Sequence, residues 1–163
     1  MKNKLLLFFK ILLLSLILIS CSETSKLENV NKIVLFGDSL MSGYGLEENQ
    51  VLSIILENDL KEAGYNIKVI NGSISGDTSE DGLYRIEEYT SDLDIDMIIL
   101  GLGANDMIRR ISPNQIESNL RKIIEIIKTK NIKIILAGMK ASPINGLGYN
   151  CLLYTSPSPR DLS

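Results

Sequence analysis

The stretch KIVLFGDSL (Lys32–Leu40) joins a short apolar run to a polar turn, and runs of the same kind recur along the chain. Its apolar part, Ile33–Phe36, lacks the strict alternation of polar and apolar residues, as is typical of a strand covered on both faces. Three similar runs follow at Ile67–Ile70, Met97–Leu100 and Ile134–Ala137. Their starts lie 34, 30 and 37 residues apart, the size of a βαβ unit. The spacing predicts four parallel strands.

The segments between these runs carry helical patterns. Apolar residues at helical spacing cover Leu52–Ala63. Thr78 and Asp81 have the spacing of a capping box at the start of a second helix. Ser112 and Pro113 predict the N-cap and the first residue of a third. This alternation predicts an α/β fold, in which a doubly wound parallel sheet carries helices on both faces and forms three layers.

The composition limits the chemistry that the chain can perform. Its 163 residues favour one domain, and 17 Lys and Arg are outnumbered by 20 Asp and Glu. This mild acidity, without a basic run, argues against a nucleic-acid partner. Because there are two Cys and no His, the sequence offers no His-based metal site, no disulfide framework and no proton transfer by imidazole.

The first residues differ from the rest of the chain. Three Lys, no acid and the apolar run Leu5–Ile19 predict a signal peptide over residues 1–20. The sequence LISC (Leu18–Cys21) resembles the lipobox of bacterial lipoproteins, which implies cleavage before Cys21 and a diacylglycerol on its thiol. Residues 21–31 would then be a tether to a membrane surface of the bacterial envelope. The alternative is an ordinary secretory signal or an anchor helix, with Cys21 incidental.

Polar loops follow three of the predicted strands. They contain Ser39, Gly76 and Asn105, respectively. Because the carboxyl ends of parallel strands meet at one edge of a sheet, we expect these loops to converge. A Ser at a strand end can act as a nucleophile, while a Gly N–H and an Asn amide are donors that can stabilise an oxyanion. Each loop alone is better explained as a turn or helix cap, but together they predict a catalytic site.

These loops carry a resemblance to a known family. Residues 32–150 resemble a partial domain of the SGNH hydrolases, or GDSL esterases, and within them the thioesterase I/lysophospholipase L1/arylesterase branch. The most specific block is SISGDTS (Ser73–Ser79). The resemblance implies a flavodoxin-like strand order, with Ser39 as nucleophile and with Gly76 and Asn105 as oxyanion donors. It also implies hydrolysis of small acyl esters, thioesters or lysophospholipids through an acyl-serine intermediate, without a cofactor or metal.

One block of the family is missing. SGNH hydrolases carry Asp-x-x-His near their C-terminus, and this sequence has no His. We therefore expect negligible ester turnover from these residues alone. Residues 151–163 begin with CLLYTSPSPRD (Cys151–Asp161), which resembles one reading frame of the adapter DNA used in sequencing libraries. This predicts a foreign tail and a sheet cut after its fourth strand, the alternative being a natural disordered end rich in Pro and Ser.

Two other functions remain open at the level of the sequence. The same apparatus serves acetyl esters on sugars, so a carbohydrate acetylesterase is one alternative. The other is a non-catalytic lipoprotein that keeps the fold and binds acyl groups or glycans.

Overall fold

The structure, a computed structural model, describes residue 27 and residues 29–91 and 94–138. The predicted signal peptide, Cys21 and the predicted foreign tail lie outside the described residues. Within the described part of the chain, no helix is both long enough and apolar enough to cross a membrane.

A parallel sheet of four strands forms the centre of the fold. Its order is β2-β1-β3-β4, and each neighbouring pair is parallel. The strands are β1 (Lys32–Gly37), β2 (Lys68–Asn71), β3 (Met97–Gly101) and β4 (Lys133–Leu136). Each overlaps one of the predicted runs, so the predicted α/β class and the parallel sheet are confirmed. The order also agrees with the first four positions of the flavodoxin-like arrangement.

Five α-helices and one short 3-10 helix connect the described strands. The helices are α1 (Ser39–Ser42), α2 (Leu52–Glu62), α3 (Ser79–Thr90), α4 (Ala104–Ile108) and α5 (Pro113–Thr129), and the 3-10 helix is Glu48–Gln50. The predicted caps are confirmed. Thr78 and Asp81 form a reciprocal capping box at α3, and the Ser112 hydroxyl caps α5 by accepting the Gln115 N–H.

The sheet buries apolar residues on both faces. On one face, Val34 and Phe36 pack with residues of α3 and α5 and are fully buried. On the other, Ile33 packs with Ile67 and with Leu60 of α2. Successive strand residues point to opposite faces, so β1 serves both layers and its sequence cannot alternate with polar residues. Burying each such side chain contributes roughly 1.5–3 kcal/mol.

The carboxyl ends of β1 and β3 meet at the edge where the predicted site lies. Gly37 and Gly101, their last residues, are partners in the register. A Cβ built on Gly37 would lie 2.6 Å from the Gly101 carbonyl oxygen and 2.7 Å from the Met41 sulfur. Neighbouring backbone leaves no room for a side chain here, so the turn before Ser39 requires glycine.

Candidate active site

Ser39 is the first residue of α1, immediately after the turn that ends β1. Asp38 is the N-cap of this helix, and its Oδ1 accepts the Leu40 N–H at 3.0 Å. Asp38 is fully buried, whereas Ser39 is half-buried and Leu40 is exposed. The buried cap therefore stabilises the start of the short helix, and Ser39 lies partly exposed at the edge of the sheet.

Gly76 lies in the loop after β2, with a φ of 93°. This left-handed conformation favours glycine, because a Cβ would be strained there even though the nearest atom, an Arg109 nitrogen, is 4.0 Å from the Cβ position. The loop is bonded to β1. The Ile74 N–H donates to the Gly37 carbonyl at 3.0 Å, and the Ser73 hydroxyl donates to the Leu35 carbonyl at 3.0 Å. These bonds hold the Gly76 loop beside the Ser39 turn.

Asn105 lies in the first turn of α4, after β3. Its Nδ2 donates to the Asp77 carbonyl oxygen at 2.8 Å. Asp77 directly follows Gly76, so the structure brings two of the predicted site residues together. A primary amide has two N–H donors, and this bond uses one of them. No bond from the second N–H to another described residue is observed, and a side-chain amide N–H is the kind of donor that can stabilise an oxyanion.

Arg85 of α3 joins these loops, and no sequence motif singled it out. Its Nε donates to Asp77 Oδ2 at 2.5 Å, its Nη1 to the Gly72 carbonyl at 2.6 Å and its Nη2 to the Gly37 carbonyl at 3.2 Å. The guanidinium carbon also lies 4.0 Å from the centre of the Phe36 ring. Arg85 thus contacts the loops after both β1 and β2.

A buried polar network anchors α4 to α3. Asp106, fully buried, accepts the Ser79 N–H at 2.8 Å and the Ser79 hydroxyl at 2.6 Å. The Ser79 Oγ in turn accepts from Asn119 of α5 at 3.0 Å. Asn119 Oδ1 accepts from the exposed Gln115 at 3.0 Å. Since Asp106 follows Asn105, this network also places the Asn105 amide. No sequence motif predicted these contacts.

Burial and two neighbouring carboxyl groups affect the titration of Asp38 at the site. Burial raises the pKa of Asp38, the bond from the Leu40 N–H opposes this, and the charges of Asp106 and Asp77 raise it further. The second oxygen, Oδ2, has no hydrogen-bond partner among the described residues. The Asp38 carboxyl therefore resists ionisation more than an ordinary Asp. In the same described ranges, no cluster of three His, Cys, Asp or Glu side chains could hold a metal ion.

The raised pKa of Asp38 predicts how stability changes with pH. The folded state binds this proton more tightly than the unfolded state, so Asp38 stabilises the fold at low pH. Its contribution is lost as pH rises above the ordinary value of 3.8 and through the raised folded pKa. We therefore expect Asp38→Asn to become more stable relative to the wild type as pH rises from about 3.5 to about 7, measured by urea unfolding.

Asp81→Asn is the opposite control. The Thr78 hydroxyl and N–H donate to the Asp81 carboxylate and lower its pKa, so its contribution is present at neutral pH and is lost on acidification. That variant should lose stability relative to the wild type as pH rises. Parallel pH profiles for Asp38→Asn and the wild type would contradict the electrostatic account of Asp38.

Comparison with known proteins agrees with this architecture. The sequence model that describes the GDSL-like Lipase/Acylhydrolase family matches residues 35–161 of this chain. An arylesterase of Vibrio mimicus is 35% identical over 142 residues, covering 87% of this chain and 70% of that protein. Thioesterase 1/protease 1/lysophospholipase L1 of Escherichia coli is 32% identical over 118 residues, covering 72% of this chain and 55% of that protein. The chain belongs to the GDSL-like lipase/acylhydrolase family.

A solved structure supports the same assignment. The crystal structure of AlinE4, an SGNH-hydrolase family esterase, has 35% identity and a TM-score of 0.71, with 78% of this chain and 69% of that chain covered. The predicted family and fold are thus confirmed, and the chain is that of a GDSL-type hydrolase. The family match includes Cys151–Asp161, so it gives no support to a foreign origin of that segment, which stays a prediction.

Proposed function

We propose that this chain carries the nucleophile and the oxyanion donors of a serine esterase that acts on acyl esters or thioesters. The observation that carries the proposal is the bond from Asn105 Nδ2 to the Asp77 carbonyl, because it joins the Asn105 and Gly76 loops and leaves the second amide N–H without a partner among the described residues. The relatives' names, arylesterase and thioesterase/lysophospholipase, support the substrate class.

The proposed reaction assigns one step to each group. Ser39 Oγ attacks the acyl carbon, and the carbonyl oxygen becomes an oxyanion that accepts hydrogen bonds from the Gly76 N–H and Asn105 Nδ2. A general base takes the Ser39 proton, and the oxyanion collapses to expel an alcohol or a thiol, which takes up a proton. Water then attacks the acyl carbon of the acyl-serine and gives a proton to the general base. The bond between the acyl carbon and Ser39 Oγ breaks, the carboxylic acid is released, and Ser39 Oγ takes up the proton.

The reaction needs a general base, and these 163 residues contain no His that could serve as one. We therefore propose that these 163 residues alone hydrolyse esters at a negligible rate. We also propose that imidazole added to the solution restores the attack by Ser39, because it can accept the Ser39 proton. Imidazole has a pKa close to neutral, so at neutral pH a large fraction of it can accept the Ser39 proton. A base in solution lacks the favourable positioning of a side chain, so restoration is expected to be partial.

An alkyl fluorophosphonate tests this proposal in a single step. Ser39 Oγ forms a bond to phosphorus, fluoride leaves and imidazole takes the hydroxyl proton. We expect labelling of Ser39, located by mass spectrometry of peptides, at a rate that rises with imidazole concentration. Ser39→Ala is the matched control and should remove the labelled peptide. Absence of labelling at Ser39 in the wild type, with or without imidazole, would refute the assignment of the nucleophile.

The origin of the missing base has a separate test. We propose that the source gene continues after about Asn150 with a segment that contains an Asp-x-x-His block, in place of the tail CLLYTSPSPRD (Cys151–Asp161). Resequencing the locus past Asn150 should reveal that block in the same reading frame. A locus that encodes CLLYTSPSPRDLS (Cys151–Ser163) followed by a stop codon would contradict both the proposed block and the proposed foreign origin of the tail.

We also propose that Cys21 is lipidated and holds the protein at a membrane surface of the bacterial envelope. The lipobox-like LISC sequence supports this proposal, and the modification would add a diacylglycerol to the Cys21 thiol. Cells expressing the full chain and fed radiolabelled palmitate should incorporate the label, and Cys21→Ala should abolish it. Cys151→Ala, at the only other Cys, is the control that should keep it. Equal incorporation in the Cys21 variant would contradict the proposal.

A further inference from the structure

We propose that Arg85 is a positioning residue of this site, which sets the distance between the Ser39 nucleophile and both oxyanion donors. The inference rests on the proposed esterase function, because it concerns how the same site is assembled. Arg85 lies on α3, outside the loops that carry Ser39, Gly76 and Asn105. Its guanidinium group bonds directly to the Ser39 turn and the Gly76 loop, and it reaches Asn105 through Asp77.

The guanidinium group contacts three separate points on two loops. Nη2 donates to the Gly37 carbonyl, two residues before Ser39. Nη1 donates to the Gly72 carbonyl, at the start of the loop that carries Gly76. Nε donates to the Asp77 carboxylate, the residue directly after Gly76. The nucleophile turn and the oxyanion loop are therefore bonded to one rigid, planar group.

Asp77 extends this control to the third site residue. Its carboxylate is held by Arg85, while its carbonyl oxygen accepts the Asn105 amide at 2.8 Å. A shift of Arg85 would move Asp77, and with it both Gly76 and the orientation of the Asn105 amide. The Phe36 ring, 4.0 Å from the guanidinium carbon, packs against the plane of the group. The Tyr89 ring packs edge-on against the Phe36 ring, with 5.4 Å between the centroids, and this contact limits the movement of the Phe36 ring.

Burial of this ion pair favours a geometric role over a purely stabilising one. The side chains of Arg85 and Asp77 are each only 12% exposed. Replacing a buried ion pair by apolar residues is often neutral or stabilising, so burial of the pair is weak evidence for a purely stabilising role. A guanidinium fork, by contrast, can hold two carbonyls and a carboxylate in fixed directions. Lysine carries the same charge as a single point and cannot make all three contacts from one plane.

The proposal predicts which kinetic constant changes. A misplacement of about 1 Å at a reacting centre can cost about a hundredfold in rate, because bond formation requires aligned groups. We expect Arg85→Lys to lower the saturating rate of Ser39 phosphonylation by about thirtyfold. The half-saturating probe concentration should stay unchanged, since the Arg85 side chain is only 12% exposed and donates to protein groups. Loss of folded protein alone would also lower the apparent saturating rate, so the rate is expressed per folded molecule.

The experiment measures labelling of the full chain at fixed imidazole over a range of fluorophosphonate concentrations. Arg121→Lys is the matched control, because Arg121 is also a helix residue paired with a carboxylate, that of Glu117, but its side chain is 55% exposed on α5. It should label like the wild type. Asp77→Asn is the second test variant. It keeps the carbonyl that binds Asn105 but removes the charge that binds Arg85, so its saturating rate should fall in the same direction and by less.

The outcomes separate the two proposals. If wild-type Ser39 is labelled and Arg85→Lys retains the wild-type saturating rate, the positioning role is wrong while the esterase function stands. If wild-type Ser39 is not labelled, both are wrong. Circular dichroism and urea unfolding report the folded fraction of each variant. If Arg85→Lys and Asp77→Asn both fail to fold, or lose rate only in proportion to the unfolded fraction, Arg85 maintains the fold and not the site, and the proposal is overturned.

Discussion

Asn105→Ala is expected to lower the saturating rate of imidazole-dependent Ser39 phosphonylation by about 100-fold to 1000-fold, the usual cost of removing one oxyanion donor. The side chain is half-buried, and one of its N–H groups is already bonded to the Asp77 carbonyl. In the proposed reaction, the other donates to the oxygen that becomes negative as the new bond forms. Its loss would leave that charge to the proposed Gly76 donor and to water.

Two further variants make this result specific to the donor. Asn105→Asp keeps the size of the side chain but replaces the donor with a negative charge, so its rate should be at least as low as that of Asn105→Ala. Asn114→Ala, an exposed position on α5, should label like the wild type. A rate for Asn105→Ala close to that of the wild type would show that this side chain does not bind the oxyanion. The Ser39 assignment would be unaffected.

Asp106→Ala should produce the largest loss of stability, about 4 kcal/mol in the free energy of unfolding. The carboxylate accepts the Ser79 N–H and hydroxyl in a fully buried setting. Hydrogen bonds to a charged group contribute about 1.5–3 kcal/mol each, and their removal leaves buried donors unsatisfied. The urea midpoint should fall strongly with an unchanged slope. Because small domains are stable by only about 5–15 kcal/mol, such a variant would be marginally folded.

The control for this prediction is Asp59→Ala, an exposed position in α2. It should change the free energy of unfolding by less than about 0.5 kcal/mol. Asp106→Asn gives an intermediate case, because the amide keeps an acceptor oxygen for one of the two bonds. If Asp106→Ala were as stable as Asp59→Ala, the network joining α3, α4 and α5 would contribute little to the fold.

The sequence was sufficient for the four strands, for three of the five described α-helices and for the sheet edge at which the predicted site residues lie, whereas α1, α4 and the 3-10 helix were not predicted. Unbroken apolar runs identified the strands because both faces of the sheet are covered. The caps at Thr78 and Ser112 were readable because a capping motif is local to one helix turn. Ser39, Gly76 and Asn105 could be placed at one edge because all parallel strands end there. Each of these inferences depends on residues that are neighbours along the chain.

The polar contacts that hold the site together could not be predicted in this way. Arg85 bonds to a carbonyl 48 residues away, Asp106 to a hydroxyl 27 residues away and Asn119 to a hydroxyl 40 residues away. Local periodicity carries no information about such pairs. An Arg or an Asp within a helix has the same pattern whether it faces water or a loop of another strand. The unpartnered oxygen of Asp38 likewise follows from packing around it and not from its turn sequence.

The bond between Asn105 and Asp77 has a further consequence for the energetics of the reaction. An unbonded Asn side chain samples several rotamers, and ordering such a side chain costs roughly 1 kcal/mol of entropy. In this protein that entropy is lost when the chain folds, before any ester arrives. The chemical step therefore needs no reorganisation of this donor. What Asn105 contributes at the transition state should appear mainly as a lower enthalpy of activation, with little entropic penalty.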